Sequence, residues 1–235
     1  MITKCGNLHD CIMGMIDNPI TTLVGEELEN GDDKWKGSLA APNGSLYGCP
    51  CKARRVVKFD PVSKSITEIG PDFGGGMGSK WKQGAMTDNG VIYCPPCDDR
   101  GILTIDTNTD TATELDANLL PEQGNGMWLS RAAALDGCIY CMPYNRARRV
   151  MKINPSNNNA MSSVGDDLGD DYCKYWGTVV GIDGCVYGMY QLCLHFITKL
   201  MSTSGVCVNL VTLFTSGWPS FNPTISNLRR MEDKV

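Results

Sequence analysis

Histidine is nearly absent. The 235-residue chain has two, His9 and His195, so a site built on several imidazoles, for metal binding or acid–base work, is all but excluded. Long apolar runs are missing as well. The most apolar stretch, residues 205–216, is about a dozen residues long, short of the roughly 20 that cross a bilayer as a helix. Positive charge is not in excess: 21 Lys and Arg against 26 Asp and Glu leave a net charge of −5, which argues against broad affinity for nucleic acid or anionic membranes. The opening Met1-Ile2-Thr3-Lys4-Cys5-Gly6-Asn7 lacks the basic, apolar, small-residue order of a secretory signal. No Gly-x-Ser-x-Gly elbow occurs, and Gly74-Gly75-Gly76-Met77-Gly78 lacks the Gly-Lys-Ser/Thr ending of a phosphate loop. These absences set the expectation of a soluble, cytoplasmic protein without metal or cofactor, its 12 cysteines held as thiols.

Glycine and proline, by contrast, are plentiful, at 26 and 12 residues, as in chains of many short strands and tight turns. Self-comparison shows why. Trp35, Trp81, Trp128 and Trp176 each open a segment that leads to Asn43-Gly44, Asn89-Gly90, Asp136-Gly137 and Asp183-Gly184 in turn. Three residues beyond each of these glycines stands a tyrosine: Tyr47, Tyr93, Tyr140 and Tyr187. Successive glycines, and successive tyrosines, lie 46, 47 and 47 residues apart. Apolar runs follow at Val56–Asp60, Ile102–Asp106 and Val150–Asn154, then second runs at Ile66–Gly70, Ala112–Leu115 and Met161–Gly165.

Each unit therefore reads as four strands. Asn-Gly or Asp-Gly joins the first two as a type I′ hairpin, and Asp60, Asp106 and Asn154 start the last turn through side-chain-to-backbone bonds. A four-stranded unit of about 47 residues is a β-propeller blade, its period bracketed by WD40 and kelch repeats. The fold class is all-β, a propeller of about four four-stranded blades. The recurring Trp and Tyr are expected to pack between blades.

The chain divides into a half-blade with linker (1–33), blades at 34–79, 80–126 and 127–173, a degenerate blade at 174–211 and an irregular tail at 212–235. The half-blade is read from Cys11–Pro19 and Ile20–Gly25, and the degenerate strands from Phe196–Leu200 and Cys207–Val211. Either the two ends meet to close a ring, or the chain is part of a propeller of five to eight blades.

The pattern Asp/Asn-Gly-x-Ile-Tyr followed by x-Arg-Val-x-Lys-Ile-Asp/Asn-Pro, over residues 34–191, resembles repeats of YncE-like and virginiamycin-lyase-like propellers. It is more similar still to tandem-repeat proteins of microalgae and related protists, which share the order Lys-Trp, Asn-Gly-x-Ile-Tyr, Lys-Ile-Asp-Pro. The resemblance implies the propeller fold, and the protist group implies no particular activity. The lyase-like propellers imply a histidine-bearing metal site, for which neither His9 nor His195 holds a repeat-equivalent position.

Two constellations remain. Cys94-Pro-Pro-Cys97 has the spacing of a zinc or redox pair. Its repeat equivalents, however, are Gly48, Cys141 and Gly188 for the first position and Cys51, Tyr144 and Gln191 for the second, an exchange that suits buried thiols better. Arg54, Arg100 and Arg148 recur in the loop between second and third strands, where a propeller would align them as a basic arc able to hold carboxylate or phosphate. The expected function is a non-enzymatic scaffold or binding module for a protein, peptide or small anionic ligand. The alternatives are a lyase or hydrolase with an axial-channel site, or a non-functional fragment.

Overall fold

The computed structural model describes residues 31–190, except 76, 77, 98, 99, 123, 125 and 126, together with Leu23, Val24, Leu28 and two strands at Phe196–Leu200 and Leu210–Phe214. Sixteen strands among the described residues form four antiparallel four-stranded sheets, each in plain sequence order. The first sheet holds β1 (Trp35–Ala40), β2 (Leu46–Pro50), β3 (Val56–Asp60) and β4 (Ser65–Ile69). The second holds β5 (Ala85–Met86), β6 (Val91–Cys94), β7 (Leu103–Asp106) and β8 (Thr111–Glu114). The third holds β9 (Trp128–Ala133), β10 (Ile139–Pro143), β11 (Val150–Asn154) and β12 (Ala160–Val164). The fourth holds β13 (Tyr175–Val180), β14 (Val186–Tyr190), β15 (Phe196–Leu200) and β16 (Leu210–Phe214).

The Asn/Asp-Gly turns differ from the expected hairpin type. Gly44, Gly90, Gly137 and Gly184 have φ between 74° and 83°, while the Asn or Asp before each is not left-handed. The glycine N–H donates three residues back, to Ala41, Thr87, Ala134 and Gly181, and each of those N–H groups donates across to the residue after the glycine. This is a type I turn closed by a left-handed glycine bulge rather than type I′. Pro42, with its fixed φ, suits the second turn position, and the Asn43, Asp136 and Asp183 side chains accept from the N–H two residues on. The β3–β4, β7–β8 and β11–β12 turns are started by Asp60, Asp106 and Asn154, whose Oδ1 atoms accept from Val62, Asn108 and Ser156.

The fourth sheet departs from its expected degeneracy. Its last strand is β16, three residues beyond the run expected at Cys207–Val211, with Lys199 facing Val211 and Leu200 facing Leu210. The half-blade read at Cys11–Gly25 lies outside the described residues apart from Leu23 and Val24, as does the tail beyond residue 214.

Each sheet has a leading face, toward the start of the run, and a trailing face, toward its end, and at the three internal interfaces a trailing face packs on the next leading face. Trp81, Ile92, Cys94, Leu103 and Ile105 lead the second sheet and pack on Tyr47, Cys49 and Val56 of the first. Trp128, Ile139, Cys141 and Met151 pack likewise on Ala85, Tyr93 and Ile102, and Tyr175 and Val186 on Ala132, Tyr140 and Met142. Between sheets the first strands approach most closely, β5 with β9 and β9 with β13, so they form the inner, axial side and the fourth strands the outside.

One landmark is corrected. Trp35, Trp81, Trp128 and Tyr175 each face the residue fifteen positions on, Pro50, Pro96, Pro143 and Tyr190. The repeat position in the fourth sheet is therefore Tyr175, 2% exposed, and not Trp176, which is 57% exposed with its ring 5.6 Å edge-on to Tyr144. One residue of slip turns a strand side chain to the opposite face. The expected consequence is measurable by thermal melt. Tyr175→Ala costs about 3 kcal/mol, as large aromatic truncations in cores do, and Trp176→Ala costs under about 1 kcal/mol; equal costs would place the register wrongly.

Candidate functional site

The loops between second and third strands carry the three arginines of the expected arc, and the structure places acids beside each. Arg54 Nε and Nη2 donate to Asp72 Oδ2 at 2.8 and 2.5 Å. Arg148 Nε donates to Asp167 Oδ2 at 2.9 Å, with Nη2 2.8 Å away. The two latches are repeat-equivalent. In each the acid's Oδ1 accepts from a glycine two residues on, Gly74 or Gly169, and the arginine's carbonyl accepts from Phe73 or Leu168. Arg54 and the Gly74 N–H hold the Asp72 carboxyl below its ordinary range; the Gly169 N–H and Arg148 do the same for Asp167. Arg100 differs. Its guanidinium stacks 4.9 Å over the Trp81 ring and lies 3.6 Å from Glu114. All three thus tie a loop to neighbouring chain.

At the opposite end of the sheets the tyrosines act as clasps. Tyr47 Oη donates to Asp110 Oδ1 at 2.6 Å and Lys58 Nζ to Asp110 Oδ2 at 2.6 Å, so residues of the first sheet grip a turn of the second. Tyr93 Oη reaches Asn159 Oδ1 of the third sheet at 2.7 Å. Asp110 and Asn159 are the left-handed residues that end their turns, φ 55° and 57°. Burial pushes the Asp110 carboxyl up, but the bonds from Lys58 and Tyr47 outweigh it and leave it below the ordinary value. Tyr140 and Tyr187 instead donate to Asp136 and Asp183 of their own sheets, both at 2.8 Å.

The axial side carries the chemistry that the repeat pattern did not single out. The buried charged side chains among the described residues are Lys80, Arg131 and Lys174, and no carboxylate is buried with them. Lys80 and Lys174 stand immediately before the Trp81 and Tyr175 positions, at the inner ends of their sheets. Lys174 Nζ donates to the carbonyls of Asp171, at 2.6 Å, and Asn145. Arg131 lies on β9, facing Cys141 across the pair with β10. Its Nη2 is buried without a hydrogen-bond partner. Burial pulls the Arg131 guanidinium and the Lys174 ammonium down from their ordinary ranges.

Arg131 has no counterpart in the other sheets, where Ser38, Gly84 and Thr178 hold its place, so no repeat signal could have found it. The lysines were visible in sequence as part of the Lys-Trp landmark, but their burial was not.

Thiols surround this region. Cys49 and Cys94 face each other between the first and second sheets, Sγ to Sγ 2.7 Å. Cys94 therefore partners a residue of another sheet and not Cys97, which is half-buried. Burial raises the Cys94 thiol well above its usual value, and pushes Cys141 up to about 12 against the pull of Arg131. Thiols so shifted stay protonated near neutrality and make poor nucleophiles. Among the described residues no group of three or more His, Cys, Asp or Glu is placed to hold a metal ion, and no helix is long and apolar enough to cross a membrane. His9 and His195 lie outside the described residues.

No family model matches the chain, and no curated protein does. Solved structures do. A catalytically inactive virginiamycin B lyase from Staphylococcus aureus, crystallised with quinupristin, superposes with a TM-score of 0.61 at 14% identity, over 79% of this chain and 57% of the lyase. A streptogramin B lyase gives 0.62 at 17%, over 79% of this chain and 56% of its own. The extracellular domain of a hybrid two component system of B. thetaiotaomicron gives 0.55 at 13%, over 79% of this chain and 23% of that protein. Likeness at such identities is one of fold alone. The chain is an all-β run of four propeller-like blades, spanning little more than half the length of the lyases it resembles.

Proposed function

We propose that this chain is a non-catalytic β-propeller scaffold whose axial side binds a small anion through phosphate or carboxylate oxygens. One observation carries the reading: the Arg131 guanidinium is buried among thiols and its Nη2 has no hydrogen-bond partner. Buried positive charge is costly unless something compensates it. The orphaned Arg131 Nη2 offers a donor of the geometry that phosphate and carboxylate accept.

Recognition belongs at Arg131 rather than at Arg54, Arg100 and Arg148, whose guanidiniums already face Asp72, Glu114 and Asp167. Those three serve the loop face, where we place contact with a protein or peptide partner. A cytoplasmic setting suits the eight described cysteines, all of them thiols, and kinship with the protist tandem-repeat proteins is part of the same proposal.

The test is a thermal shift at fixed ionic strength with inorganic phosphate, oxalate and chloride. A saturable rise in Tm with phosphate or oxalate, absent with chloride, is expected, since a ligand that binds only the folded state stabilises it by mass action. A melt indifferent to all three anions overturns the reading.

A further inference from the structure

The three internal interfaces show what a leading and a trailing face need from each other, and among the described residues the two ends of the run leave apolar side chains of both faces exposed. On the leading side, Ile92, Ile139 and Val186 are 0% exposed, while their equivalent in the first sheet, Leu46, is 36% exposed. Leu46 joins Trp35, Val57 and Phe59 around an open cleft of about 300 Å³. On the trailing side, Ala85 and Ala132 are 6% and 8% exposed, but their equivalent Val179 is 56% exposed. Cys49 and Met142 are fully buried, and their equivalent Met189 is 47% exposed.

We propose that two copies of this chain associate head to tail, the trailing face of each fourth sheet seated on the leading face of the other copy's first sheet. The resulting ring has eight blades, within the four to eight that propellers use. Two observations favour a second copy as the occupant. The same face-to-face packing is already realised three times within the chain.

Charge also matches. Inside the chain, each trailing-face tyrosine of the first two sheets reaches the left-handed turn residue of the next sheet, Tyr47 to Asp110 and Tyr93 to Asn159. The equivalent residue at the exposed leading end is Lys64, φ 57°, and the exposed trailing end presents Tyr187 hydrogen-bonded to Asp183. Head-to-tail docking brings the Asp183 carboxylate to the Lys64 ammonium, and like-with-like docking of either end does not.

Light scattering on the 235-residue chain tests this. The expected mass is about 51 kDa, twice the 25.6 kDa of one chain. Leu46→Glu and Val179→Glu, both at exposed positions, are each expected to weaken association by about 100-fold, since a charge would be buried in an apolar contact. Mixing the two variants restores a dimer, because one leading–trailing interface in the pair is then intact. A charge exchange provides a second, milder probe: Asp183→Lys weakens the dimer and Lys64→Asp in the same chain restores it. A wild-type monomer at 100-µM-scale concentration overturns the proposal, and so does a dimer that Leu46→Glu breaks and Val179→Glu leaves intact, which marks a head-to-head contact.

Discussion

Arg131→Met raises the melting temperature of the unliganded chain and abolishes the phosphate-dependent rise. The substitution keeps an unbranched apolar stem of similar reach on β9, facing Cys141, and removes a buried guanidinium whose Nη2 has no partner. A buried donor left unsatisfied on a charged group costs about 1–3 kcal/mol, and replacing buried ionic groups by apolar ones of similar volume is often stabilising by a comparable amount. For a chain of this size each kcal/mol moves Tm by roughly 2–4 °C, so the gain is about 2–12 °C. Arg131→Lys retains the charge and is expected to melt near the wild type. The opposite signs separate the two roles of Arg131: stability rises while binding is lost. A fall in Tm for Arg131→Met, with phosphate still stabilising it, would show a structural residue and sink the anion reading.

The largest destabilisation is expected from Gly101→Ala. A Cβ built on Gly101 would stand 1.6 Å from the Leu115 carbonyl oxygen and 2.7 Å from its carbon. Both are backbone atoms, held by the Leu115 N–H bond to the Ile102 carbonyl, so no flexible side chain can yield. Gly101 also accepts the Trp81 indole N–H on its carbonyl at 3.0 Å and donates its own N–H to Glu114. Moving the loop to admit a methyl would disturb Trp81, which is fully buried against the first sheet. Overpacking against fixed backbone together with loss of these bonds is expected to cost about 3 kcal/mol or more, a fall in Tm of roughly 6–12 °C.

The equivalent residues Arg55 and Arg149 accept the indole bonds of Trp35 and Trp128 in the same way. They carry side chains freely, reaching out to the carbonyls of Gly70 and Gly165. Changing either to Ala is therefore expected to cost far less than Gly101→Ala, and comparable losses would refute the steric account.

The blade architecture was legible in the residues because it is local and repeated. Asn-Gly and Asp-Gly fix a left-handed glycine at each hairpin, Asp60, Asp106 and Asn154 cap their turns through bonds two residues long, and a 46–47-residue period forces each unit to bury its faces on its neighbours. Strand register at the fourth repeat was not legible, since Tyr175 and Trp176 are both large aromatics and only the pairing with Tyr190 shows which one turns inward.

Tertiary structure alone decided the candidate site. Arg54 and Arg148 look in sequence like a binding arc, and what engages them stands 18 and 19 residues away in the linkers, Asp72 and Asp167. Arg131 has no repeat equivalent and no motif. Its burial beside thiols follows from the convergence of first strands belonging to different sheets. Sequence determined how each blade folds, through interactions spanning a few residues. Which charges end up away from water depended on how blades meet, and that is a property of contacts between residues tens of positions apart.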